Sequence, residues 1–177
     1  MDQSPDGSRV RRFVAAARRG TLATLDPGGL PRLVPICFVL DEPRDRPRDP
    51  DAALVLYSAI DEKPKRSADP LRLARVRDIL ARPTATILVD RWDEEWDHLA
   101  WVRLDCQATI LPPAEDDPGE RRRAIAALRA KYPQYRAQHL ESRPLIRLNC
   151  QVGAAWGALD VDAGRGVSEG EPDVEAM

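Results

Sequence analysis

Residues Leu99–Leu111 read LAWVRLDCQATIL, and this stretch decides the fold class. Ala100, Val102, Leu104, Cys106, Ala108 and Ile110 point one way; Trp101, Arg103, Asp105, Gln107 and Thr109 point the other. A strict period of two over so many residues marks an antiparallel strand with one face buried and one face wet. Working outward, Pro144–Val152 alternates in the same manner, with Ile146, Leu148, Cys150 and Val152 opposite Arg147, Asn149 and Gln151. Thr84–Asp90 (TATILVD) and Ala53–Ile60 (ALVLYSAI) read as further strands. Thr21–Leu25 and Pro31–Leu40, joined by the turn Asp26-Pro27-Gly28-Gly29, read as a hairpin. Apolar residues at helical spacing predict a helix over Ser8–Arg19, with Ser8 as N-cap and Gly20 as stop. Two more are predicted over Pro70–Ala81 and Asp116–Lys131. The expectation is a mainly β chain with flanking helices: six strands, mostly in adjacent antiparallel runs, closed into a small barrel because closure removes exposed edges.

The chain has 177 residues, which suits one ordinary domain. No apolar run approaches the roughly 18 residues of a spanning helix, and the N-terminus lacks the apolar region of a secretory signal. Cys37, Cys106 and Cys150 are odd in number and widely spaced, which fits three reduced thiols in a cytoplasmic protein. Six acids and one cation lie between Ala158 and Met177, against 26 cations and 23 acids before them. Residues 158–177 therefore read as an acidic, disordered tail after a domain spanning 1–157. The body is too weakly basic for non-specific nucleic-acid binding.

Of the 27 cations 24 are Arg, and two of the three lysines sit in Lys63-Pro64-Lys65-Arg66. Three cations in four residues between a strand and a helix suit a phosphate; the alternative is a solvated loop, since Asp61 and Glu62 precede it. Trp92, Trp96 and Trp101 lie within ten residues and Trp156 stands near the end of the body. Such rings stack on a flat heterocycle, fill an interface or pack a core. His98 and His139 have no metal-ligand spacing, so no metal is expected, and no nucleophile motif is present. No catalytic side chain is assigned; a bound cofactor would supply the reactive atom.

The order TLATLDPGGLPRLVPICFVL, KPKR, RPTATILVDRWDEEWDHLAWVRLDCQATIL, LRAKYPQY and AAWG resembles the pyridoxamine 5′-phosphate oxidase-like split-barrel superfamily. Within it, KPKR, the WDEEW segment, WVR and LRAKYPQY resemble the probable coenzyme F420-dependent subgroup. The resemblance covers about Arg9–Gly157 and implies a split β-barrel binding FMN or F420 in a homodimer, with two cofactor sites at the subunit interface. It implies that Lys63, Lys65 and Arg66 hold the cofactor phosphate, beside Tyr57, Ser58, Ala59 and Ile60. Pro35 and Ile36 would line the tricyclic ring, and Trp92, Trp96, Trp101 and Trp156 would form a tryptophan cluster near the neighbouring site. The implied chemistry is hydride transfer between the cofactor and a small unsaturated or carbonyl-containing substrate. An FMN-dependent reductase or oxidase, and a non-enzymatic flavin- or deazaflavin-binding protein, are the alternatives. The Pro- and Arg-rich Glu42–Asp51 connection and the acidic tail have no counterpart in the resemblance; the tail would compete with a polyglutamate-bearing cofactor for a basic groove.

Overall fold

The computed structural model describes residues 6–41, 53–60, 69–113 and 119–161. Lys63, Lys65 and Arg66, the Glu42–Asp51 connection and the tail beyond Val161 lie outside the described residues.

The first helix, α1 (Gly7–Ala16), buries Val10, Phe13 and Val14. Its cap is Asp6 rather than Ser8: the Asp6 carboxylate accepts the Ser8 backbone N–H at 2.9 Å and the Ser8 hydroxyl at 2.8 Å. The helix ends before Gly20, which opens β1 (Gly20–Leu25). A Cβ at Gly20 would lie 3.2 Å from both the Leu88 carbonyl oxygen and the Phe38 ring, so this glycine serves close strand approach, not helix termination. The hairpin partner predicted as one strand to Leu40 is two, β2 (Pro31–Ile36) and β3 (Val39–Leu40). The break falls at Cys37–Phe38, where the Tyr132 hydroxyl accepts the Phe38 N–H at 3.1 Å and donates to its carbonyl at 2.7 Å. A side chain has replaced the neighbouring strand at that point.

The remaining elements are β4 (Leu54–Ala59), α2 (Ala74–Ala81), β5 (Thr84–Arg91), β6 (Ala100–Leu111), α3 (Glu120–Lys131) and β7 (Leu145–Gly157), with short 3₁₀ turns between them. Asp69 and Pro70 start a 3₁₀ turn rather than the helix itself; α2 begins after it, at Ala74. β7 runs five residues beyond the predicted end at Val152 because Gly153 is bulged: Leu104 faces Val152 while Arg103 faces Ala154. The alternation breaks there, but the pairing continues to Trp156 opposite Trp101.

All seven strands form one antiparallel sheet in the order β2-β1-β5-β6-β7-β4-β3. That is one strand more than expected, through the split of Pro31–Leu40. Laid flat, the outermost strands β2 and β3 would stand about 29 Å apart at 4.8 Å per strand. They are joined through Cys37 and Phe38 alone, and three Cα steps reach about 11 Å at most. The sheet must therefore curl until its two edges approach, producing a split barrel. Inside it lie Leu22, Leu56, Ile87, Val102, Leu104, Ile146 and Leu148, closed off by α1 and α2. A second apolar cluster packs α3 over β3 and β4 through Ala124, Ile125, Leu128, Tyr132 and Tyr135.

Two expectations are corrected inside this sheet. Cys106 and Cys150 are not free thiols: they are cross-strand partners on β6 and β7, their Cα atoms 4.0 Å apart, and they form a disulfide. They are 44 residues apart in the chain, and only the register brings them together. Cys37 is the free cysteine. The ordered body also passes Gly157, since Leu159 is only 4% exposed within the main core. Arg9 holds Asp160 at 2.6 Å, and the Arg91 guanidinium donates to the carbonyls of His98, Ala158 and Asp160. No described helix is long and apolar enough to cross a membrane.

Candidate functional site

The curl leaves a cleft at the seam of the barrel. Pro35 and Ile36 come to it from the end of β2, Cys37 from the connection, and Ser58 and Ala59 from the end of β4. Arg19 before β1, Arg75 on α2 and Tyr135 after α3 complete the lining of a space of about 170 Å³. Residues 23 positions apart in the chain share one wall because Val39 pairs with Tyr57, which sets the ends of β3 and β4 side by side.

Behind Cys37 the wall is held by α3. Lys131 donates to the Ala15 carbonyl at 2.9 Å and stands 4.8 Å over the Phe38 ring, while Arg18 donates to the Lys131 carbonyl at 2.9 Å. Burial, and secondarily the Arg18 guanidinium, bring the Lys131 ammonium down to about 8. Burial likewise pushes the Tyr132 phenol up to about 12. Both shifts favour the neutral form of a group enclosed among α1, α3 and the Cys37–Phe38 connection.

Four of the residues expected at the site, Pro35, Ile36, Ser58 and Ala59, are brought together. Two more point elsewhere. Ile60 is fully buried in the main core. Tyr57 faces α3, its hydroxyl donating to Glu120 Oε1 at 2.5 Å, and burial followed by that carboxylate raises its pKa. Glu120 is also within 3.0 Å of Arg147 Nε, so this pair ties α3 to β4 and β7. The tryptophans do not line the cleft. Trp92, Trp96 and Trp156 are exposed, at 75%, 81% and 52%. Trp101 is half-buried, with Asp90 opposite it on β5 and Trp156 opposite it on β7. Arg19 at the cleft rim reaches Asp90, the cross-strand partner of Trp101, at 3.7 Å, but no tryptophan is among the lining residues.

Arg19, Cys37, Arg75 and Tyr135 were not singled out by sequence reasoning. Cys37 directly follows Pro35-Ile36 and Tyr135 ends the LRAKYPQY segment, so both had a local signal. Arg19 and Arg75 are two among 24 arginines and had none. Among the described residues no carboxylate or imidazole lines the cleft, and no cluster of three or more metal-binding side chains is found.

Residues 7–157 match the family described as pyridoxamine 5′-phosphate oxidase. The chain belongs to that family. Three solved structures are similar to it in fold at low sequence identity. The conserved hypothetical protein Rv2991 from Mycobacterium tuberculosis is 18% identical, with TM-score 0.60 over 89% of this chain and 90% of its own. HutZ, a heme storage protein from Vibrio cholerae, is 14% identical, with TM-score 0.57 over 85% of this chain and 92% of its own. An F420 reductase is 16% identical, with TM-score 0.52 over 82% of this chain and 94% of its own. At these identities the likeness is one of fold. No curated protein matches the sequence.

Proposed function

We propose that the seam cleft binds a flavin-type cofactor and that the protein is an F420-dependent oxidoreductase acting on a small unsaturated or carbonyl-containing substrate. The observation that carries this reading is the meeting of Pro35 and Ile36 with Ser58 and Ala59 in one cleft, only four positions along the chain from Lys63. Lys63, Lys65 and Arg66 would hold the cofactor phosphate, where ammonium groups and a guanidinium fork suit an oxyanion. Pro35 and Ile36 would support the ring by apolar contact. The bound cofactor would supply the hydride chemistry; the chain's share is to position the two reactants and exclude water. FMN in place of F420 is the second reading, because the same cations serve either phosphate.

A cleft of about 170 Å³ is smaller than the roughly 300–1,000 Å³ that encloses a ligand of this size. The wall must be completed from elsewhere, and a homodimer would do so. Exposed Leu33, Leu88 and Trp156 on the sheet, with Trp92 and Trp96 in the connection between β5 and β6, would suit a second copy.

Titration with FMN and with F420, read by cofactor fluorescence, tests the proposal. Lys65→Ala and Arg66→Ala should each weaken binding roughly ten- to a hundredfold, from the loss of a charge-assisted contact worth ~1.5–3 kcal/mol. Wild-type affinity in both variants would remove the phosphate assignment. Cofactor that binds but is never oxidised by any quinone or enone offered would favour a binding protein over an enzyme.

A further inference from the structure

Cys37 is the free cysteine of the chain, and it sits in the short link that joins the barrel's two edges. It is half-buried and lines the seam cleft of about 170 Å³. The antiparallel pair Val39–Tyr57 puts Cys37 two positions before one partner and Ala59 two positions after the other, so the thiol and the end of β4 share a wall. The Cys37 sulfur accepts a hydrogen bond from the Gln134 amide at 3.9 Å, a contact at the surface, so the thiol is reached from solvent. Lys131 lies behind the link, where a negative charge on Cys37 works against the burial that neutralises the ammonium. A solvent-reachable thiol in the field of a cation is placed for exchange, since the thiolate is the attacking form. A second, independent observation points to a ligand beside it. Ser58 is 2% exposed and lines the same cleft, and its hydroxyl has no hydrogen-bond partner among the described residues. A buried hydroxyl left unpaired carries a cost that a polar group entering the cleft relieves. A cavity of about 150 Å³ holds a benzene ring, so this one has room for a group of that size and no more.

We infer that Cys37 is a modification site: it takes a small thiol as a mixed disulfide, and the attached group lies in the cleft with its polar end on the Ser58 hydroxyl. In the exchange the Cys37 thiol gives its proton to solvent, and the thiolate attacks one sulfur of a low-molecular-weight disulfide. A bond forms between the two sulfurs and the original S–S bond breaks. The departing half leaves with the bonding electron pair as a thiolate and takes up a proton, so Cys37 is oxidised and the small disulfide is reduced. The modification stands without the cofactor reading given above. Its consequence, that the adduct keeps a flavin-type cofactor out of the same cleft, rests on that reading.

The test uses the full chain as wild type, C37S and S58A. Each is equilibrated with graded ratios of 2-hydroxyethyl disulfide to 2-mercaptoethanol, quenched in acid and read by intact mass. Cys106 and Cys150 are paired with each other, so a gain in mass reports Cys37. The expected result is one hydroxyethylthio group on wild type and none on C37S. The exchange constant should be about two- to tenfold lower in S58A, from the loss of one hydrogen bond to the adduct. The Ser58 hydroxyl has no partner to lose within the described fold, so S58A should melt with wild type. No adduct on wild type at any ratio, an adduct on C37S, or equal exchange constants in wild type and S58A would each overturn the inference. FMN is then titrated into wild type before and after modification, read by flavin fluorescence. The adduct should weaken FMN at least tenfold, and the same treatment of C37S should change nothing. Undiminished FMN affinity in the adduct would place the attached group outside the cleft and overturn the inference as well. If the unmodified protein binds neither FMN nor F420, the cofactor reading fails, and the mass measurement still decides the Cys37 site.

Discussion

Tyr132→Phe removes one oxygen atom from the point where the barrel's two edges are joined. The ring stays: it packs edge-on to Tyr135 at 5.6 Å and lies beneath Arg18 and Lys131 at 5.2 and 5.6 Å, contacts that phenylalanine keeps. The hydroxyl accepts the Phe38 N–H at 3.1 Å, and its single hydrogen serves the Phe38 carbonyl at 2.7 Å or the Arg18 carbonyl at 3.0 Å. Phe38 is fully buried, so its N–H and carbonyl lose a partner that water does not easily replace. Arg18 is exposed, and its carbonyl regains water. Two orphaned buried groups at ~1–3 kcal/mol each place the cost at about 2–6 kcal/mol. A chain of this size loses about 2–4 °C per kcal/mol, so the melting temperature should fall by about 4–24 °C. Urea unfolding at constant m-value provides the free energy. A Tyr132→Phe variant within about 0.5 kcal/mol of wild type would refute the view that this hydroxyl replaces a neighbouring strand at Cys37–Phe38.

Between about pH 8 and 10.5 native Lys131 has released a proton that the unfolded chain retains, so stability should rise with pH across that window. Discounted for a half-buried site, the gain is about 1–2 kcal/mol; Lys131→Met should flatten the profile, and a rise that persists in the variant would assign it to another group. Asp78 is 2% exposed, accepts the Thr24 hydroxyl at 3.0 Å and pairs with Arg32 on edge strand β2. Asp78→Asn should cost about 1–3 kcal/mol by removing the buried charge from its pair with Arg32, which keeps only Asp26 at 4.0 Å, and denaturation at wild-type urea concentrations would contradict this. Gly157 has φ +87° and an added Cβ would collide with the Leu99 carbonyl. Gly157→Ala should therefore cost at least about 2 kcal/mol and shift the tryptophan emission as the Trp101–Trp156 pairing loosens; unchanged emission and stability would show that the strand end adapts.

Local periodicity made much of the framework legible. The alternation in Leu99–Leu111 named the buried face of β6 correctly, residue by residue from Ala100 to Ala108, because a strand's side chains alternate whatever its neighbours are. Alternation also located the start of β7, a continuous apolar run located β4, and Pro35, Ile36, Ser58 and Ala59 were recognisable as a set through the family resemblance. Long-range registration was not legible. Nothing near Cys106 announces Cys150, and nothing in Pro31–Leu40 announces that Tyr132, 94 residues beyond Phe38, will take the place of a strand.

The sequence by itself determined a mainly β chain and the inward and outward faces of its long strands, because these follow from the geometry of a few consecutive residues; the candidate segments of the cleft were legible only through the family resemblance. Only the tertiary structure decided that the cleft holds Arg19 and Arg75, that two cysteines pair, and that Tyr57 and the tryptophans lie outside the cleft lining. Those outcomes depend on how a seven-stranded sheet curls to satisfy a two-residue link between its edges, a condition that acts on the whole sheet at once.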